Sequence, residues 1–261
     1  MARPAESVTG LVVRLQPVKD HDLIVTLLSA ERGRLDTWAR AGRKSTRRFG
    51  GRLGLFADLR AEVRVGRGTM PDLVSAEVSH QWLVDGASWP ALAFASYAAE
   101  LALVAAQPDH PDADLIDWLR ACLEQAPSAS VDLAGARLAA EIGFLHLLGS
   151  FPDVRRCGSC GGSTAGGAVW LIADEAPTCS SCVVGGARQL DAAALLALSE
   201  LTRVEIDIRL AAELVGEARA LVTTRVGNLL AQVLHAPLRS AASLDPLTRL
   251  AGGAPEPRSN R

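Results

Sequence analysis

Residues 33–51 read GRLDTWARAGRKSTRRFGG and join the pattern of a strand to a dense run of cations. The first part alternates, with Leu35, Thr37 and Ala39 on one side, as in a strand that buries one face. The second part carries cations with no acidic residue between them: Arg40, Arg43, Lys44, Arg47 and Arg48, with Arg52 directly after. Because like charges repel, we expect a solvated loop that contacts a polyanion, although an ordinary charged surface fits the same pattern.

Four further alternating segments surround this stretch and predict a small barrel. They are GLVVRLQPV (10–18), HDLIVTLLSA (21–30), LRAEVRVGRG (59–68) and PDLVSAEV (71–78). In the third of these segments, Leu59, Ala61, Val63 and Val65 are expected to face inward. Closing five short strands removes edges that would otherwise aggregate, so we expect an OB-type barrel.

An OB-type barrel binds single strands of nucleic acid by combining a positive groove with aromatic side chains on which bases stack. Trp38 shares the outward face with Arg40 and is the candidate for stacking. Phe49 and Phe56 lie nearby in the sequence, and each can either stack on a base or anchor the loop to the core. Binding to DNA is therefore expected to be mostly electrostatic, with weak sequence preference.

From residue 88 onward the apolar period changes from two to about 3.6, which indicates helices. Helical stripes are predicted in PALAFASYAAELALVAAQ (90–107), DADLIDWLRACLEQA (112–126), VDLAGARLAAEIGFLHLLGS (131–150), DAAALLALSELTR (191–203) and AAELVGEARALVTTRVGNLLAQVLH (211–235). Asp132 is placed to cap the third helix. Cys122 and His146 are expected in the core rather than as ligands.

CGSC at 157–160 and CSSC at 179–182 form a C-x2-C-x18-C-x2-C pattern, which has the spacing of a four-cysteine metal site. Cys157, Cys160, Cys179 and Cys182 are expected to bind one Zn²⁺. Four thiolates leave no position for water, so this zinc would be structural rather than catalytic. A lost or redox-active cluster is the alternative.

These segments predict an α+β fold with an N-terminal five-stranded OB-fold barrel and a C-terminal helical domain with an inserted four-cysteine zinc module. The predicted boundaries are 1–80 for the barrel, 81–156 and 183–248 for the helical domain, 157–182 for the zinc module and 249–261 for a disordered tail. Residues 1–80 hold 14 basic and 9 acidic side chains, whereas residues 81–261 hold 13 basic and 20 acidic ones. This asymmetry suggests a basic binding module joined to an acidic body.

No secretory signal core and no apolar run long enough to span a bilayer are present, so the protein is expected to be cytoplasmic. An odd count of five cysteines argues against a disulfide framework. His21 lies between Asp20 and Asp22, which hints at acid–base chemistry, but it has no nucleophile partner in the sequence. No Walker loop, GxSxG elbow or HExxH helix occurs, and we expect no enzymatic activity.

The chain resembles the RecO family of bacterial DNA repair and recombination mediators along nearly its whole length. The resemblance is carried by DHDLIVTLLSAERGRLDTWARAGRKSTRRFGG (20–51), YAAELAL (97–103), IGFLHLLGSFPDVRRCGSCGG (142–162) and HAPLRSAASL (235–244). It implies an OB-fold, a helical domain and an inserted zinc module. In this sequence Arg43, Lys44, Arg47, Arg48 and Arg52 match the basic loop of the family.

The resemblance further implies a nucleoid-associated activity without catalysis: binding single- and double-stranded DNA and annealing complementary strands. The implied partners are RecR, the acidic C-terminal tail of single-strand binding protein (SSB) and, indirectly, RecA. Because the helical body is acidic, a site for the tail must be a local basic and apolar pocket. The candidate residues for this pocket are Arg120, Arg137, Arg219 and Arg225.

Two other classes of function fit parts of the sequence. A zinc-ribbon regulator or RNA-binding adaptor would recognise a defined sequence, whereas a mediator would bind with weak sequence preference. A hydrolase or nuclease using His21 and the acidic body would turn over a substrate with a divalent metal.

Overall fold

The computed structural model of the chain describes residues 4–45, 47–49, 53–65, 70–83, 86–127, 132–170, 176–183, 189–203 and 206–252, with side chains up to residue 248. The chain packs as two compact units. The first comprises Met1–Ser88 and Ala98–Glu124, and the second comprises Trp89–Tyr97 and Gln125–Arg261. Within the described part of the chain, no helix is both long and apolar enough to cross a membrane.

Five strands of the first unit form a closed barrel, which confirms the prediction for this region. They are β1 (Glu6–Val18), β2 (Asp22–Ser29), β3 (Gly33–Ala39), β4 (Ala57–Arg64) and β5 (Asp72–Gln81). Their order around the barrel is β1-β2-β3-β5-β4, and β4 pairs back with β1. The closing pair of β3 and β5 is parallel and short, with Trp38 opposite Asp72. This arrangement fits the expected OB-fold.

The alternating apolar residues fill the barrel because successive side chains of a strand point to opposite faces. Leu59, Ala61 and Val63 belong to the core. The expectation for Val65 was wrong: β4 ends at Arg64, and Val65 is 39% exposed. A strand buries alternate residues only while it stays paired in the sheet, so the alternation does not extend past its last paired residue.

Strand β1 contains a β-bulge that the alternation alone does not reveal. Its pairing with β2 shifts between Val12 and Arg14. A bulge inserts one extra residue and re-aims the side chains that follow. Val12 and Leu15, three positions apart, therefore both pack against the barrel core.

The rest of the chain is largely helical, as predicted. The helices are α1 (Trp89–Ala105), α2 (Ala113–Glu124), α3 (Leu133–Leu147), α4 (Ala192–Glu200), α5 (Gly216–Val233) and α6 (Ala241–Gly252), with a 3₁₀ helix at Ile208–Glu213. Asp132 caps α3, because its carboxylate accepts a hydrogen bond from Gly135 N at 2.9 Å. Cys122 is fully buried, as expected, and burial raises the pKa of its thiol.

Three predictions in this region need correction. His146, which was expected in the core, is exposed in the last turn of α3. The helix expected over 211–235 is interrupted, because Leu214 and Val215 adopt extended backbone and α5 begins only at Gly216, which has a φ of 54°. Residues 249–252, which were expected to belong to a disordered tail, are helical, because α6 continues through Gly252. The remainder of that predicted tail, residues 253–261, lies outside the described residues.

Candidate functional site

The basic loop, residues 40–52, connects β3 to β4 on the barrel. Five of its cations fall within the described residues, and all five are exposed: Arg40, Arg43, Lys44, Arg47 and Arg48. Arg52, the sixth predicted contact, lies outside the described residues. The loop thus presents closely spaced positive charges to solvent, as the sequence predicted.

The N-terminal end of the basic loop is held by Asp22, the first residue of β2. Its carboxylate accepts hydrogen bonds from Ala41 N at 2.8 Å and from the Trp38 indole Nε1 at 3.0 Å. The donors on Ala41 and Trp38, together with the charges of Lys19 and Arg40, lower the pKa of the Asp22 carboxyl. Ala41 has a φ of 50°, a left-handed conformation that is unfavourable for a residue with a Cβ.

The last described residues of the loop are fixed by an apolar anchor. Phe49 is fully buried and belongs to the barrel core. Immediately before it, the Arg48 carbonyl accepts a hydrogen bond from Ala76 N of β5 at 2.9 Å. Phe56, at the entry to β4, is also buried. Both phenylalanines therefore anchor the chain and are not available to stack on a base.

Trp38 is the aromatic side chain near the loop that remains partly accessible. Its ring is half-buried, and Lys19 Nζ lies 5.9 Å from the ring centroid. The hydrogen bond to Asp22 fixes the direction in which the indole points. Trp38 can therefore offer part of its ring to a base without reorienting.

Several loop cations make contacts that are weak enough to exchange for a phosphate. Arg40 Nε lies 3.2 Å from Asp72 Oδ1, and the Arg40 side chain is 69% exposed. Lys44 Nζ lies 2.8 Å from His21 Nε2. His21 thus faces an ammonium group, which gives no support to the acid–base role considered from the sequence. Exposed pairs of this kind contribute only about 0–1 kcal/mol to stability.

The second cluster brings the four predicted cysteines together. The Sγ atoms of Cys157, Cys160, Cys179 and Cys182 all lie within 4.8 Å of one another. The Sγ atoms of Cys160 and Cys179 are 3.9 Å apart. A tetrahedron of thiolates with metal–sulfur bonds of about 2.3 Å has edges of about 3.8 Å, so the donor set fits one metal ion.

Backbone N–H groups donate to two of the sulfur atoms and support the thiolate form of Cys157. Cys179 N donates to Cys157 Sγ at 3.3 Å, and Gly162 N donates to Cys160 Sγ at 3.4 Å. The N–H groups of Cys179 and Cys160 lower the pKa of the Cys157 thiol to about 6. Such outer hydrogen bonds orient ligands toward a metal. The short strands β6 (Ala168–Val169) and β7 (Thr178–Cys179) pair and bring the second pair of cysteines back to the first.

The segment between the cysteine pairs is joined to the helical unit through Trp170. Its ring is fully buried and packs edge-on against Phe151, with 5.9 Å between ring centroids. Arg225 of α5 places its guanidinium carbon 5.0 Å from the centroid of the Trp170 ring. Arg225, which was a candidate for the SSB-tail pocket, is buried and is committed to this contact.

A pocket of about 660 Å³ lies in the second unit and was not located from the sequence. Its polar wall is formed by Arg137 of α3, Arg219 of α5 and Tyr97 of α1, and its apolar wall includes Leu230 and Leu238. Two of the four arginines named from the sequence thus line it. The other candidate, Arg120, belongs to the first unit and binds Asp58 instead, with 2.9 Å between Nη2 and Oδ1.

Both arginines of this pocket are held by carboxylates, whereas in the basic loop Arg40 makes an exposed ion pair with Asp72. Arg137 Nε lies 2.7 Å from Glu141 Oε1, and Arg137 Nη1 binds Asp245. The guanidinium also stacks on the Tyr97 ring, with 4.8 Å between its carbon and the ring centroid. Tyr97 Oη donates to Glu141 at 2.6 Å; burial and the charge of Glu141 raise the pKa of this phenol.

The barrel with its basic loop, the helical unit and the four-cysteine site define an OB-fold protein with a cluster of thiols that could hold a metal ion. The family model described as Recombination protein O N terminal matches residues 1–82, and the model described as Recombination protein O C terminal matches residues 87–240. The chain therefore belongs to the RecO family, and its role is in DNA repair by recombination.

Three curated relatives illustrate the extent of the similarity, and each is named DNA repair protein RecO. The protein from Anaeromyxobacter dehalogenans (strain 2CP-C) is 37% identical over 188 residues, which cover 71% of this chain and 74% of the relative. The protein from Pelobacter propionicus is 30% identical, with coverage of 69% and 73%. The protein from Myxococcus xanthus is 29% identical over 227 residues, with coverage of 86% and 92%.

Proposed function

We propose that this chain is a recombination mediator that binds DNA through the basic loop and anneals complementary strands without catalysing a reaction. It binds both single- and double-stranded DNA on the nucleoid, in the cytoplasm. With RecR, it assists the loading of RecA onto single strands coated with SSB. The observation that carries this proposal is the cluster of five exposed cations on a loop fixed by Asp22 and Phe49.

The charge pattern of the loop favours phosphate over base recognition. Five cations on one exposed segment can each neutralise a phosphate, and each contact releases a counterion. Phosphate contacts position a strand without reading its sequence. All six loop cations together would account for a log–log salt slope of roughly 4 on single strands, at about 0.7 per contact.

Two variants with the same charge change test the role of the loop. The first replaces Arg43, Lys44, Arg47 and Arg48 with alanine. The control replaces four exposed arginines outside the barrel, namely Arg155, Arg156, Arg203 and Arg209. Anisotropy of a labelled single strand across a salt series should show a slope smaller by up to about 3 for the loop variant, and little change for the control. Equal loss in both variants would move the DNA site off the loop.

The mediator activity itself is tested on complementary strands coated with SSB. The wild-type chain should accelerate their annealing, and the four-alanine loop variant should not. A strong preference for one base sequence would favour the alternative of a zinc-ribbon regulator. Turnover of the DNA in the presence of a divalent metal would favour a nuclease.

We assign the acidic C-terminal tail of SSB to the pocket lined by Arg137 and Arg219. The pocket combines two guanidinium groups with apolar walls, which suits a peptide that ends in carboxylates and apolar side chains. The carboxylates of such a tail would compete with Asp245 and Asp132, which now pair with these arginines. Binding should therefore be selective for the tail rather than for any polyanion.

Binding of a labelled SSB tail peptide tests this assignment. Arg219→Ala should weaken binding, whereas Arg209→Ala, which removes an exposed arginine outside the pocket, should not. Asp245→Asn should strengthen binding, because it removes a carboxylate that competes for Arg137. If neither pocket variant changes the affinity, the tail binds elsewhere.

We further propose that the metal held by the four cysteines is Zn²⁺ and that its role is structural. Zn²⁺ is commonly bound by four thiolates, and such a closed site leaves no position for substrate. When bound, it would supply rigidity to the module. Metal analysis of purified protein should give one zinc per chain.

A further inference from the structure

The turn at residues 20–22, Asp-His-Asp, faces the basic loop although its acidic residues bear the wrong charge for binding DNA. Its three residues contact the loop in different ways. Asp22 accepts hydrogen bonds from Ala41 N and Trp38 Nε1. The His21 carbonyl accepts from Arg43 N at 3.1 Å, and the Asp20 carbonyl accepts from Arg43 Nη1 at 3.3 Å.

We propose that the turn at 20–22 is a clamp that holds the basic loop and Trp38 in their DNA-binding arrangement, with Asp22 as the positioning residue. This inference rests on the proposed function of the loop. A loop of like charges tends to spread apart and must be ordered when it binds a strand. Ordering flexible side chains and backbone lowers affinity, so a loop that is already fixed binds more tightly.

Asp22 suits this role because one carboxylate joins the two parts of the proposed interface. Oδ1 binds the backbone of the loop at Ala41, and Oδ2 binds the indole of Trp38. Ala41 holds the left-handed conformation, which an alanine adopts only when its surroundings impose it. Releasing the carboxylate should let both the loop backbone and the tryptophan ring move.

Asp20 provides a matched comparison, because it carries the same charge two positions away. It is exposed, and among the described residues its carboxylate makes no hydrogen bond or ion pair. Its contribution to the clamp comes from its backbone carbonyl, which a side-chain substitution leaves in place. Asp20→Ala and Asp22→Ala therefore remove the same charge, but only the second removes hydrogen bonds to the loop.

The two substitutions are predicted to change DNA affinity in opposite directions. Removing a negative charge beside a polyanion site should tighten binding, by up to about twofold for Asp20→Ala. Asp22→Ala should instead weaken binding by about tenfold, because the lost hydrogen bonds involve a charged acceptor. The salt slope should stay near that of the wild type, since the loop cations are unchanged.

Asp22→Asn separates the two contacts and gives a second variant if the alanine variant folds poorly. The amide oxygen can still accept from Ala41 N, but the amide nitrogen cannot accept from Trp38 Nε1. Its affinity should lie between those of the wild type and Asp22→Ala. In a double-mutant cycle with Trp38→Phe, the effects of Asp22→Asn and Trp38→Phe should not add.

The measurement is anisotropy of a labelled single strand, with the folded fraction of each variant determined by thermal denaturation. A purely structural role would lower the folded fraction but not the affinity of the folded molecules. Binding by folded Asp22→Ala that equals or exceeds binding by Asp20→Ala would overturn the clamp. If the four-alanine loop variant binds like the wild type, the proposed function fails and the clamp fails with it. If only the loop variant loses affinity, the clamp alone is wrong.

Discussion

In the basic loop, Arg43 and Arg47 are exposed, and Arg43 makes a long hydrogen bond to the Asp20 carbonyl. Arg137 in the helical unit is instead held between Glu141, Asp245 and the Tyr97 ring. The loop thus holds its backbone fixed, while its guanidinium groups make exposed contacts that they can exchange for a polyanion. The pocket fixes the guanidinium itself, so that a ligand must match its position. The same side chain can therefore give additive, salt-dependent binding in one place and directional binding in the other.

The largest expected effect comes from metal removal. It should unfold the cysteine module in the second unit and leave DNA binding by the basic loop unchanged. Structural zinc contributes on the order of 10 kcal/mol in small peptides, so a chelator should unfold the module around Cys157 and Cys179. Buried Trp170 should become exposed, and its fluorescence should shift to the red. A Trp170→Phe variant lacks this fluorophore and therefore shows which part of the fluorescence change comes from Trp170.

DNA affinity is the control in the same experiment. If the barrel alone binds DNA, chelation and Cys179→Ser should leave the affinity nearly unchanged. A parallel loss of DNA affinity and module structure would show that DNA binding by the basic loop depends on the cysteine module.

Removing one arginine from each region should change stability very differently. Arg137→Ala leaves the Glu141 carboxylate, whose side chain is 7% exposed, without its ion pair. Breaking such a pair costs about 3–5 kcal/mol when it is fully buried, and we expect the lower end here. Arg47→Ala on the exposed loop should change stability by less than about 0.5 kcal/mol. Urea denaturation of both variants measures the difference, and equal midpoints would contradict it.

A smaller effect is expected from Trp38→Ala, which tests the aromatic part of the loop site. Loss of a stacked base should weaken single-strand binding by about 1–3 kcal/mol, with the salt slope unchanged because no phosphate contact is lost. Trp89→Ala is a suitable control, since Trp89 is 61% exposed and belongs to the second unit. A change of slope in Trp38→Ala would mean that the substitution removes phosphate contacts, which stacking alone does not explain.

The smallest effect concerns Asp132, which links the pocket arginine Arg219 to the start of α3. Burial alone would raise the pKa of its carboxyl, but hydrogen bonds from Arg219 and Gly135 outweigh burial and lower it. A lowered pKa adds stability that is fully present above about pH 4 and is lost as the pH falls through the folded-state value. Asp132→Ala should cost about 1 kcal/mol at neutral pH as a lost helix cap.

The same substitution should also flatten the decline of stability below about pH 4. Denaturation midpoints at pH 7 and pH 3 for the wild type and the variant measure this contribution. If the two proteins differ by the same amount at both pH values, Asp132 acts without its charge.

The elements with a local signature were predicted well from the sequence. The alternation of Leu59, Ala61 and Val63 predicted a strand and its buried face, and the spacing of the cysteine pairs predicted that their four sulfur atoms lie together. Both signals come from neighbours along the chain, because strand geometry and metal coordination restrict which side chains can meet over short distances. The ends of strands and helices were predicted less well from the sequence, as Val65 and the break before Gly216 show.

The sequence by itself determined the barrel, the helical body, the cluster of four cysteines and the run of cations. Tertiary structure alone decided that Phe49 fills the barrel core while Trp38 stays accessible, and that Asp22 binds both Trp38 and the loop backbone. It also brought Tyr97, Arg137 and Arg219 from three helices to one pocket. Periodicity and ligand spacing act between near neighbours, whereas contacts between residues distant in sequence arise only when the whole chain packs.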